Sequence, residues 1–138
     1  MTIQKITPYL HFCGDAVDAL AHYEKTLGAQ VVERMLFGDM KEHPFGPDVN
    51  HLVMHSMLRI GEAVVMISDV PPGESFERGM ATQVVLELDD GAQLETCFDA
   101  LAEGGAVRMP LHDAFWGARF GMVTDKFGVR WMLTGPLR

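Results

Sequence analysis

Few groups in this chain could act on a small molecule. His55 is the first, in "HSMLRIGEAVVMISD" beside Met57 and, across a turn, near Ser68. An imidazole there could hold a proton near neutrality or orient a ligand. Glu87 is the second; in "ATQVVLELD" it would share a strand face with Gln83 and Val85. A carboxylate in an apolar setting holds its proton more tightly and can serve as an acid. His55 and Glu87 are therefore the candidate catalytic groups. Met57, Met66, Met122 and Met132 would line a binding surface with adaptable thioethers, and Gln83 would add an amide. Trp116 and Phe120 in "FWGARF" offer aromatic contact area, and Arg119 and Arg130 could take a carboxylate or phosphonate. Plainer roles compete with each: a satisfied sheet histidine, a solvated edge carboxylate, a methionine-rich core, arginines paired with Asp113, Asp125 or Glu87.

The other histidines rank lower. His51 and His55 would lie about 13 Å apart on a strand, too far to share an ion. His43 and His112 fall in loop-like segments and are expected in solvent. His11 alternates out of phase with Pro8 and Leu10, which places it on the helix side of its strand. Cys13 and Cys97 form no CxxC and no zinc spacing, so they read as buried or half-buried thiols.

The elements that must position these groups follow from composition and pattern. The 138 residues fit one domain, and 48% hydrophobic with 22% charged residues fits a globular one. No run of 18 apolar residues suggests a membrane span, and no secretory signal opens the chain, so a cytoplasmic location is expected. The net charge of −8 with scattered bases argues against nucleic acid and makes a cationic or neutral ligand easier than a polyanion.

Ile3 to Phe12 reads as a strand. Ala16, Val17, Leu20, Tyr23 and Leu27 then recur at helical spacing, with Asp15 as N-cap and Gly28 ending the helix. A strand from Ala29 to Phe37, a polar loop and a hairpin across Gly61-Glu62 follow. After a Pro- and Gly-rich stretch the order recurs, ending in the hairpin "RFGMVTDKFGVRWMLT". Both halves read β-α-β-β-β: module one over 1–69, a linker over 70–79 and module two over 80–138 of a single domain.

The hairpins assign faces. If Ile60 pairs with Ala63, then Leu58, Ile60, Val65 and Ile67 share an aliphatic side, while His55, Met57, Arg59, Val64, Met66 and Ser68 share a mixed one. In the last strand Val129, Trp131 and Leu133 face the helix; Arg130 and Met132 face away. The expected fold class is α+β, with curved mixed sheets around a cleft and helices on the outer faces.

The duplicated unit resembles the vicinal oxygen chelate superfamily of glyoxalases, bleomycin-resistance proteins and extradiol dioxygenases. "PYLHFCGDAVDALAHYEKTLGA", "HSMLRIGEAVVMISD" and "FWGARFGMVTDKFGVRWML" are similar to its PhnB-like branch. Some members of that branch carry a demethylubiquinone methyltransferase label. No glycine-rich nucleotide loop or doubly wound pattern supports such an activity in this chain. The resemblance implies a small-molecule ligand and a homodimer, and in metal-using members a divalent ion held by His, Glu or Gln. Those ligand positions fall here on Pro8, Met66, Gln83 and Met132. Only Gln83 offers a hard donor, so no metal ligands and no cofactor are expected. The alternative is a lyase, isomerase or oxygenase using His55 and Glu87, with a relocated metal disfavoured.

Overall fold

The computed structural model describes residues 1–138. The chain divides into two compact units, Met1–Phe76 and Glu77–Arg138. Each has the same plan. The first runs β1 (Tyr9–Phe12), α1 (Ala16–Leu27), β2 (Gln30–Leu36), β3 (Val53–Ile60) and β4 (Ala63–Asp69). The second runs β5 (Val84–Glu87), α2 (Gly91–Ala102), β6 (Ala106–Asp113), β7 (Arg119–Thr124) and β8 (Arg130–Gly135). The sheet orders correspond: β1-β4-β3-β2 and β5-β8-β7-β6, each with its first and last strands parallel and the other pairs antiparallel. These are two open, mixed, four-stranded sheets, the α+β duplication expected from the sequence.

Each helix covers one face of its own sheet. α1 packs on β2, β3 and β4, and α2 on β6, β7 and β8. The covered faces hold Phe12, Leu58, Val65 and Ile67 in one unit and Val123, Trp131 and Leu133 in the other, all buried. Each such aliphatic side chain contributes roughly 1.5–3 kcal/mol. Ile60 does pair with Ala63, and Gly61 takes the positive φ (58°) that this two-residue turn requires. Gly121 has a steric role: a Cβ there would lie 2.6 Å from the Phe98 ring, so its absence lets α2 settle on β7.

Two buried aspartates fasten the units. Asp69 ends β4, and its Oδ1 accepts from the Gly14 and Ala16 N–H groups at 2.8 and 3.1 Å. Its Oδ2 accepts from Val53 N–H at 2.9 Å. Asp69, not Asp15, thus satisfies the start of α1; Asp15 holds the cap position but its side chain accepts from Cys13 N–H instead. The expected N-cap position of Asp15 is met, but the carboxylate that bonds the helix start arrives from another strand. In the second unit Asp125 accepts from Phe127 and Val129 N–H and from Trp131 Nε1–H, closing the β7–β8 turn.

Removing the Asp69 carboxylate strands three N–H groups, and each buried one costs about 1–3 kcal/mol. Asp69→Ala should lose roughly 3 kcal/mol or more of unfolding free energy in urea. A loss near zero would mean the carboxylate does not hold α1 to the sheet.

Candidate functional site

On each sheet, the face away from the helix carries a mixed set of side chains. In the first unit Tyr9 pairs with Met66 and His11 with Ser68, while Met57 pairs with Met66 across the hairpin. The uncovered face thus gathers Tyr9, His11, His55, Met57, Met66 and Ser68. Tyr9 Oη and His55 Nδ1 are 3.2 Å apart and share one proton, the phenol donating when Nδ1 is unprotonated. His11 stacks on Tyr9 at 4.7 Å, and its Nδ1 lies 3.3 Å from Ser68 Oγ. This corrects the expectation that His11 faces the helix. Leu10 and Phe12 take that side, with Phe12 fully buried; Pro8 lies before β1 and was a misleading anchor for the alternation.

In the second unit Val85 pairs with Met132 and Glu87 with Thr134 on β8, while Met122 pairs with Met132 from β7. Gln83 immediately precedes the Val84–Trp131 pair and stands beside Arg130. The sequence did not single out Arg108, which dominates this face. From edge strand β6 its side chain crosses the whole sheet. Nη2 donates to Val123 O (3.1 Å) on β7, Trp131 O (3.2 Å) on β8 and Gln83 Oε1 (3.1 Å) just before β5. Nη1 lies 3.6 Å from Met122 Sδ. A register shift between Val107 and Met109 frees Arg108 from simple alternation, as a bulge does.

Arg119 is elsewhere. It shares the helix side with Gly121 and Val123, and its Nη1 makes a 2.6 Å ion pair with Glu95 of α2. The Trp116 ring lies tilted against Phe120 at 4.7 Å, and Phe120 lies against the His112 ring at 4.5 Å. Phe120 is buried and Trp116 is 53% exposed, so the loop presents an aromatic edge on a packed base. His43 is also more than a solvated loop residue: it bonds Asn50 at 2.7 Å and lies against Phe37 and Phe45. Cys13 is exposed rather than buried; Cys97 is half-buried, and burial pushes its thiol up, away from a reactive thiolate.

A divalent metal does not fit these donors. No three His, Cys, Asp or Glu side chains converge where an ion could be held. Gln83 Oε1, the one hard donor at an expected ligand position, accepts from the Arg108 guanidinium. Its Nε2 is turned toward Met132 Sδ at 4.0 Å, so an amide and a thioether occupy each other.

The sequence model of the Glyoxalase/Bleomycin resistance protein/Dioxygenase superfamily matches residues 5–133, and the chain belongs to that superfamily. It is 36% identical to protein YjdN of Escherichia coli, over 93% of this chain and 92% of YjdN. Among solved structures it resembles protein PA1353 of Pseudomonas aeruginosa: 38% identity, TM-score 0.86, covering 99% of this chain and 100% of that one. It also resembles the PhnB protein of Bacillus cereus, whose name carries a 3-demethylubiquinone-9 3-methyltransferase label: 28% identity, TM-score 0.80, covering 96% and 99%. The PhnB-like resemblance read from the sequence is thereby established.

The Arg119–Glu95 pair gives a pH prediction. The Arg119 hydrogen bond, reinforced by its charge, holds the Glu95 carboxyl below the usual carboxylate range. A depressed folded-state pKa stabilises above the unfolded value, and that stabilisation is lost as pH falls through the folded value. Arg119→Met should move the Glu95 midpoint, read by carboxyl carbon NMR, upward toward the usual range. An unmoved midpoint would contradict the pairing.

Proposed function

We propose that this chain binds a small organic molecule on the uncovered faces of its sheets, without a metal centre. The observation that carries this reading is the composition of those faces. Met57 and Met66 in one unit, and Met122 and Met132 in the other, alternate with His55, Ser68, Gln83 and Arg130. A merely solvated face would be more uniformly charged, whereas thioethers with a few polar groups suit an adaptable ligand surface. The exposed edge of Trp116 adds contact area of the same character. The donor chemistry around Gln83 supports the metal-free part.

A homodimer is part of the proposal, given the open sheet edges and the prevalence of paired subunits among oligomers. No helix is long and apolar enough to cross a membrane, and a cytoplasmic site of action is proposed with that in view.

A thermal-shift screen across small carboxylates, phosphonates, neutral aromatics and cationic antibiotics tests the reading. A compound at a hundred times its dissociation constant should stabilise the fold by about 2.7 kcal/mol. His55→Ala should retain that shift for a ligand held mainly by thioether and aromatic surface. No shift from any compound class would overturn the proposal.

A further inference from the structure

We propose that the uncovered face of the second sheet contains an oxyanion subsite, in which Arg130 donates to the carboxylate or phosphonate end of a small ligand and Arg108 stands beside it as a fixed positive charge. The proposal rests on the small-molecule reading above and gives that reading a ligand class.

The two arginines have different roles because their hydrogen bonding differs. Arg108 is pinned. Its Nη2 is shared among two strand carbonyls and the Gln83 amide oxygen, and its Nη1 rests against Met122 Sδ. Its Nη groups are committed, its Nε is buried without a partner, and none of its partners is a carboxylate. Its charge is held over the sheet without a counter-ion. Arg130 is the opposite case. It lies on the same face through its pairing with Thr124, and its guanidinium makes no hydrogen bond within the protein. Its Nε is buried without a partner, as that of Arg108 is, so the difference between the two lies in the uncommitted Nη groups of Arg130. A planar fork of free N–H donors matches an oxyanion in bidentate geometry.

The charges also oppose each other. Burial, and then the charge of Arg130, pull the Arg108 guanidinium below its ordinary value, so the two cations feel one another in a partly desolvated place. An anion at Arg130 would relieve that repulsion. Glu87 shares the face but sits four residues along β5 from Gln83, about 13 Å away at strand rise. The protein carries a net charge of −8, yet this patch is locally positive. A local field of that sign draws anions and repels dications.

The surroundings set the rest of the ligand. Val85, 49% exposed, and the Met122–Met132 pair form an apolar ledge next to the guanidinium. The ligand class is therefore a small amphiphile: one oxyanion with a short apolar body.

The probes are benzoate and phenylphosphonate, with benzamide as the neutral counterpart. Each is titrated into nitrogen-15-labelled protein while the Arg130 Nε–Hε and Gln83 amide signals are followed. Both anions, or one of them, should shift Arg130 saturably, and Arg130→Gln should weaken that binding at least about tenfold while Arg130→Lys retains part of it. Because Arg130 holds no internal hydrogen bond, Arg130→Gln should melt no lower than the parent, which separates lost binding from lost folding. Anion binding undiminished in Arg130→Gln, or benzamide binding as tightly as benzoate, would overturn the subsite while leaving a binding protein. Absence of any saturable shift with either anion would also overturn it; only a silent thermal screen as well would remove the broader reading.

Discussion

A four-stranded sheet backed by one twelve-residue helix has two faces and a single cover. Which residues take the uncovered side decides what each sheet can offer to a ligand. The choice is fixed by the buried set. Leu58 and Ile67 in one unit, and Trp131 and Leu133 in the other, are fully buried beneath the helices. A slip of one residue in β8 would bring Arg130 and Met132 beneath α2 and expose Trp131, so the register is held by the whole cost of that inversion. The Trp131 indole adds a directional lock, because its N–H is bonded to the buried Asp125 carboxylate.

Against that frame, Arg108 changes what the second sheet can do. The resemblance to metal-using members of the superfamily leads one to expect hard donors on such a face. Here a guanidinium bridges β7, β8 and Gln83 and consumes the amide oxygen a cation would need. The guanidinium also brings a positive charge to the face. A charge of that sign repels a dication, and the thioethers of Met122 and Met132 lie beside it. The first unit has a different character, built on the Tyr9–His55 contact and the His11–Ser68 contact, with no arginine crossing it.

Much of this was legible in the sequence because strand alternation is a strong signal. The hairpin across Gly61-Glu62, the back face of Trp131 and Leu133, and the shared face of Gln83, Val85 and Glu87 all follow from period two. What escaped has physical causes. Arg108 sits at a register shift, where parity no longer predicts direction. His11 was misread because Pro8 and Leu10 were given the cleft side; Phe12, of the same parity, is fully buried and puts Leu10 on the helix side. Asp69 caps a helix that precedes it by more than fifty residues (Ala16 N–H to Asp69, 53 apart), which no local motif reveals. Arg119 shares its parity with Val123, a buried position, and its ion pair to Glu95 needed the helix packing to be seen.

The central claim is that a guanidinium, not a metal ion, owns the Gln83 oxygen. Manganese(II) titrated into methionine-methyl-labelled protein tests it directly, since the ion broadens signals near wherever it binds. The Met132 methyl signal should persist at stoichiometric metal, with any broadening confined to methionines outside the second sheet. Stoichiometric loss of the Met132 signal that disappears in Gln83→Ala would contradict the account.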